Sequence, residues 1–215
     1  MPDLVPIPSP GVPLYYGTVG DPVVIVVHDW YGRLPSIEPY ATALATHGLR
    51  VVVPDFYAGV CTVDAGDAER LMQGLDVGES LALLEDIVQE SRDQGSAKAA
   101  VVGFSMGGWL ALLHAQAGSA DAVVAYYASL GPNDHGVIPC PVQLHFAEVD
   151  EWGDGDDPES FVDRLKDHGT PVELFTYLGT QHSFANASIP DRVDTRAAAL
   201  AFARTATFLE KHLVD

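Results

Sequence analysis

Ser105, Asp150 and His182 are the residues of this chain whose types and settings could carry out nucleophilic chemistry. Residues 99–108 read Ala-Ala-Val-Val-Gly-Phe-Ser-Met-Gly-Gly. An apolar run enters a Gly-x-Ser-x-Gly turn and a helical pattern leaves it. Such a turn is sharp and strained, and it lifts one serine hydroxyl clear of a sheet. Gly103 and Gly107 flank the serine because side chains there would collide with neighbouring backbone. The N–H of Met106 is expected at a helix start, without an intrahelical acceptor and able to face a developing oxyanion. The pentapeptide is short enough to arise by chance, so its weight rests on its context and its partners.

A serine hydroxyl is a weak nucleophile near neutral pH and needs a base. His182, in Gly179-Thr-Gln-His182-Ser-Phe, follows the apolar run Val172–Tyr177. An imidazole there can take the serine proton and return it to a leaving group. Asp150 follows the run Val142–Ala147 and would fix the imidazole tautomer and stabilise the imidazolium. The chain order Ser, Asp, His is the one expected when this triad is built on a parallel α/β sheet. Glu148, Asp154, Asp156 and Asp157 compete with Asp150, which is favoured by its distance from the strand. Among the other histidines His28 is the serious competitor, because it too ends a strand; chain order favours His182. The second oxyanion donor should come from the turn after Val23–His28, as the N–H of Trp30. Asp29, in the same turn, has two readings. One is a turn residue bonding nearby backbone; the other is a second carboxylate tuning Ser105 or holding a substrate group. Trp30, Tyr31, Phe104 and Trp152 could wall an acyl pocket or simply pack in the core.

Residues so far apart meet only if the elements between them bring them together. Val23–His28, Leu49–Val53, Ala99–Phe104, Ala122–Tyr127, Val142–Ala147 and Val172–Tyr177 are short, nearly continuous apolar runs. Such runs suit parallel strands buried on both faces, and Tyr15–Val19 suits an antiparallel edge strand. Helical patterns lie between them at 36–47, 76–93, 106–117, from Asp157-Pro158 onward, and at 191–213. Gly48, Gly95 and Gly118 stand as stops. The alternation predicts an α/β fold: a mostly parallel, doubly wound sheet with helices on both faces, in one domain spanning 1–215. In such a sheet ligands bind beyond the carboxyl ends of the strands, where Asp29, Ser105, Asp150 and His182 all fall.

The 215 residues include 47% hydrophobic ones, enough for a sizeable core. Thirty acidic residues against 11 basic ones give a net charge of −19. Such a surface repels nucleic acid and anionic membrane, and it opposes small anionic substrates unless a local arginine intervenes. The first 20 residues carry no Lys or Arg and no long apolar stretch, so no signal peptide is expected. With only Cys61 and Cys140, a reduced, cytoplasmic protein is expected. The sequence holds no His-Glu-x-x-His and no Gly-rich phosphate loop, so no metal and no cofactor are expected.

Four blocks, His28-Asp-Trp-Tyr-Gly32, Pro54-Asp-Phe-Tyr57, Gly103-Phe-Ser-Met-Gly-Gly108 and His182-Ser-Phe184, together resemble the dienelactone hydrolase family of the α/β-hydrolase fold. Asp150 sits where that family places its acid. The resemblance implies an ester or lactone hydrolase needing no cofactor. Three departures bear on substrate. Ser105 stands where the best-known members carry cysteine. Asp29 stands where they carry glutamate. Asn186 stands where they place an arginine that grips a substrate carboxylate. The expected function is therefore a serine hydrolase of a small neutral ester or lactone. Two alternatives are a dienelactone-type lactonase that holds carboxylated substrates through Arg70, and a non-catalytic binding protein on the same fold.

Overall fold

The computed structural model describes residues 11–150 and 158–214. Its strands are β1 (Leu14–Tyr16), β2 (Val23–Val27), β3 (Arg50–Val53), β4 (Ala99–Phe104), β5 (Ala122–Tyr126), β6 (Val142–Val149) and β7 (Val172–Gln181). Its helices are α1 (Ile37–Ala45), α2 (Ala65–Gln73), α3 (Val77–Asp93), α4 (Met106–Ala115), α5 (Pro158–Asp167) and α6 (Thr195–Leu209), with a π-helical turn over Glu210–Val214. The strands form one sheet in the order β1-β3-β2-β4-β5-β6-β7. All neighbours are parallel except β1, which runs antiparallel to β3.

Burial explains the unbroken apolar runs. Every residue of β2, β4 and β5 is buried, and successive side chains point to opposite faces. Val23, Ile25 and Val27 join one core layer, with Leu84 and Val88 of α3, Leu110 of α4 and Phe161 of α5. Val24 and Val26 join the other, with Leu44 of α1 and Phe208 of α6. Helices therefore cover both faces. Chain order reverses between β2 and β4, since β3 lies on one side of β2 and β4 on the other. The crevice at the carboxyl ends of those two strands is the switch point where such sheets bind ligands. The turn after β2 carries Asp29 and Trp30, and the turn after β4 carries Ser105.

The elements differ from the sequence expectation in three instructive places. Helix α2 has no counterpart there, because it is short and rich in polar residues: Ala68 is its one fully buried residue, and Leu71 and the following Leu75 are only partly buried against the core. Its legible signal was the cap: the Asp64 side chain accepts from the Asp67 N–H at 2.9 Å. Helix α6 begins at Thr195 rather than 191, capped by Asp194, which accepts from the N–H groups of Arg196 and Ala197 at 3.0 and 2.8 Å. Strands β6 and β7 run on past Ala147 and Tyr177 through an irregularity, after which Val149 pairs with Gln181. That late pairing matters most. The next residues on the two strands are Asp150 and His182, so the register delivers them side by side at the carboxyl edge.

Candidate active site

Ser105 sits between β4 and α4 with φ 51° and ψ −117°. A non-glycine residue in this region costs on the order of 1–3 kcal/mol and persists only where the surroundings impose it. Here they do. The Ser105 N–H donates to the Tyr126 carbonyl at 2.9 Å, and its own carbonyl accepts from Trp109 N–H at 2.9 Å. A Cβ at Gly103 would land on the Gly107 carbonyl, and one at Gly107 on the carbonyls of Val27 and His28. The two glycines thus let β4 turn into α4 and let α4 start against the end of β2. Gly103→Ala is expected to cost about 3–5 kcal/mol, a fall in Tm of roughly 10 °C measurable by thermal denaturation.

The Ser105 hydroxyl lies 2.7 Å from His182 Nε2. His182 Nδ1 lies 2.8 and 2.9 Å from the two carboxylate oxygens of Asp150. The imidazole is thereby oriented with Nδ1–H toward the acid and Nε2 free to accept from the serine. Met106 opens α4 directly after Ser105, so its N–H has no intrahelical acceptor. Trp30 stands in the tight turn after β2, which Gly32 closes by donating its N–H to the Asp29 carbonyl at 3.1 Å.

Asp29 fulfils its turn role and does more. Its Oδ1 accepts from Tyr31 N–H at 3.0 Å, and its Oδ2 accepts from the Asn186 side-chain amide at 2.7 Å. Asn186 Oδ1 in turn accepts from the Ser36 hydroxyl at 3.0 Å and from Ser188 N–H at 2.9 Å. Burial pushes the Asp29 carboxyl up to about 6, against the bonds from Asn186 and Tyr31 and the nearby His182, which favour its charge. The carboxylate is therefore ionised above neutrality but held in a poorly solvated place.

The competitors fall into other roles. His28 Nδ1 is 2.7 Å from the Asp29 carbonyl and its Nε2 accepts from Phe56 N–H at 3.2 Å. Both ring nitrogens are used, and burial pulls its pKa down to about 4, so it is a neutral tie between the β2 and β3 loops. His145 is wholly buried among Tyr177, Gln143 and Thr205. His114 is buried beside Glu85. Glu148 accepts from Gly179 N–H at 2.6 Å. Phe104 is buried and faces a cleft beside Asp29, and Tyr31 packs in the core layer with Trp30. Arg70 lies exposed on α2 and pairs with Asp67; it is not among the residues of the Asp29 cleft. Trp152, and the rival acids Asp154, Asp156 and Asp157, lie outside the described residues.

One residue escaped sequence reasoning. Tyr127, directly after β5, has φ 40°, and its ring centre lies 4.8 Å from that of His182. Its hydroxyl is buried without a hydrogen-bond partner. Burial raises its pKa, and the charges of Asp29 and Asp150 raise it further. Its positive φ places the ring against the imidazole, a contact that only the fold reveals. Among the described residues, no group of three or more His, Cys, Asp or Glu could hold a metal ion, and no helix is long and apolar enough to cross a membrane.

The dienelactone hydrolase family model matches residues 15–213. Protein usf of Aquifex pyrophilus is 28% identical over 207 residues, covering 90% of each chain. A carboxymethylenebutenolidase of Rhodococcus opacus is 28% identical over 209 residues, covering 90% of this chain and 82% of the relative. Among solved structures, Thermogutta terrifontis esterase 2 phosphorylated by paraoxon superposes with a TM-score of 0.68 at 18% identity, covering 93% of this chain and 88% of its own. A fold match at that identity speaks for the α/β-hydrolase architecture, and the family model speaks for descent. The chain belongs to the dienelactone hydrolase family and is a hydrolase of ester or lactone bonds.

Proposed function

We propose that this protein is a serine hydrolase of small neutral esters or lactones, with Ser105 as nucleophile, His182 as general base and acid, and Asp150 as the group that orients His182. The observation that carries the reading is the continuous pair of contacts from Ser105 Oγ to His182 Nε2 and from His182 Nδ1 to Asp150. In the first half-reaction His182 takes the Ser105 proton as Oγ bonds to the substrate carbonyl carbon. The carbonyl oxygen becomes an oxyanion, and the N–H groups of Met106 and Trp30 are its donors. His182 then protonates the leaving alkoxide, and the acyl group remains on Ser105. In the second half water gives its proton to His182, attacks the acyl carbon, and releases the acid with the hydroxyl restored to Ser105.

Serine occupies the elbow, and the two cysteines of the chain, Cys61 and Cys140, stand elsewhere and unpaired. Unpaired cysteines also favour a reducing, cytoplasmic setting. The preference for neutral substrates follows from charge. Among the described residues Asp29 is the acid of the cleft beside the elbow, its partner Asn186 is neutral, and the whole chain carries −19. The alternative that relies on Arg70 meets a guanidinium already paired with Asp67. The test is a comparison of a lactone ester with the corresponding free carboxylate lactone on purified protein. The neutral compound is expected to have at least a tenfold higher kcat/KM, about 1.4 kcal/mol. A preference for the anion would favour the carboxylate-gripping alternative.

A further inference from the structure

A cleft runs between α1 and the turn after β2, beside the proposed nucleophile. Leu34, Ile37 and Phe104 form its apolar walls, and Ser36, Asn186 and Asp29 form its polar end. Its interior volume is about 40 Å³, room for about three waters at ~10–15 Å³ each. Phe104 immediately precedes Ser105, and Asn186, bonded to Asp29 at 2.7 Å, lies four residues after His182. The cleft therefore adjoins the triad, although Ser105 is not itself one of its walls.

The hydrogen-bond inventory of the polar end defines what could sit there. Asp29 accepts one bond on each oxygen, from Tyr31 N–H and from Asn186, and each oxygen keeps a further lone pair. Asn186 Oδ1 is saturated by Ser36 and Ser188, but its amide nitrogen keeps a second hydrogen. Among the described residues no lysine or arginine lines the cleft, and His28 at its edge is neutral, both its nitrogens already bonded. The end therefore offers carboxylate acceptors and one amide donor around a buried negative charge. A hydroxyl can donate to the first and accept from the second. A carboxylate would meet a like charge with no cation between them.

We propose that this cleft is a subsite for a short acyl group ending in a hydroxyl, and that Asp29, held by Asn186, selects against carboxylates there. The inference rests on Ser105 being the nucleophile, because the acyl part is then tied beside the cleft through both half-reactions. It narrows the substrate class to esters or lactones of small hydroxy acids.

The experiment compares methyl propionate, methyl glycolate and monomethyl malonate at pH 8, each kcat/KM divided by the hydroxide rate of the same ester. Glycolate is expected to exceed propionate about tenfold, the worth of one hydrogen bond to a charged acceptor. Malonate is expected to fall at least about tenfold below propionate. Asp29→Asn removes the charge and keeps the shape, and should raise the malonate-to-propionate ratio at least about tenfold. Ile37→Phe fills the cleft from α1 and should bring the glycolate-to-propionate ratio close to one. Turnover by the wild type without discrimination, or ratios that neither variant moves, would overturn the subsite alone. No turnover of any of the three esters by protein whose Ser105 a fluorophosphonate still labels would overturn the subsite alone; no turnover together with no label would overturn the Ser105 reading, and the subsite with it.

Discussion

Ser105→Ala is expected to lower kcat on a short neutral ester by roughly 10³- to 10⁶-fold while leaving the folded structure in place. The size of the loss follows from the route. Without the hydroxyl there is no acyl-enzyme, and what remains is water attacking a substrate held by the oxyanion donors alone. The fold should survive because the Ser105 side chain bonds His182 and its removal leaves the backbone bonds to Tyr126 and Trp109 untouched. Alanine must still adopt φ 51°, as serine does, so the strain is unchanged to first order. Initial rates with a thermal melt on the same preparation check both halves. Retained turnover would remove Ser105 from the mechanism.

Asp150→Asn is expected to lower kcat by about 10²- to 10⁴-fold with little change in KM. The carboxylate contacts Nδ1 through both oxygens, at 2.8 and 2.9 Å. It therefore holds a proton on Nδ1 and leaves Nε2 to accept from Ser105. An amide can present its NH2 instead, which favours the opposite tautomer and turns Nε2 into a donor toward the serine. It also removes the negative charge that stabilises the imidazolium. Both effects fall on the transition state rather than on substrate binding, so kcat carries the loss. An Asp150→Asn variant with undiminished kcat would assign the acid to another carboxylate.

Much of this arrangement was legible in the sequence because its causes are local. Short continuous apolar runs bounded by turn residues suit strands buried on both faces, and β2, β4 and β5 are that. The elbow is written in glycines whose absent side chains make room for Gly107 and His28 backbone. What the sequence did not disclose depends on distant contacts. Asp29 and Asn186 are 157 positions apart, and their bond is created by the packing of the β2 turn against the segment after β7. Tyr127 read as the end of a strand, and its place against His182 appears only once β5 and β7 are positioned. The extension of β6 and β7 to the Val149–Gln181 pair was hidden because Glu148 interrupts the apolar run in one strand and Gly179-Thr-Gln ends it in the other. Helix α2 was hidden because its core-facing residues are few, Ala68 with the partly buried Leu71 and the following Leu75, in a short polar segment.

The central claim is that one hydroxyl, that of Ser105, becomes acylated. Intact-mass and peptide analysis after treatment with a fluorophosphonate tests it directly. The account predicts a single adduct on the peptide carrying Ser105, blocked by prior incubation with substrate and absent from Ser105→Ala. Absence of an adduct in well-folded protein, or an adduct on any other residue, would contradict it.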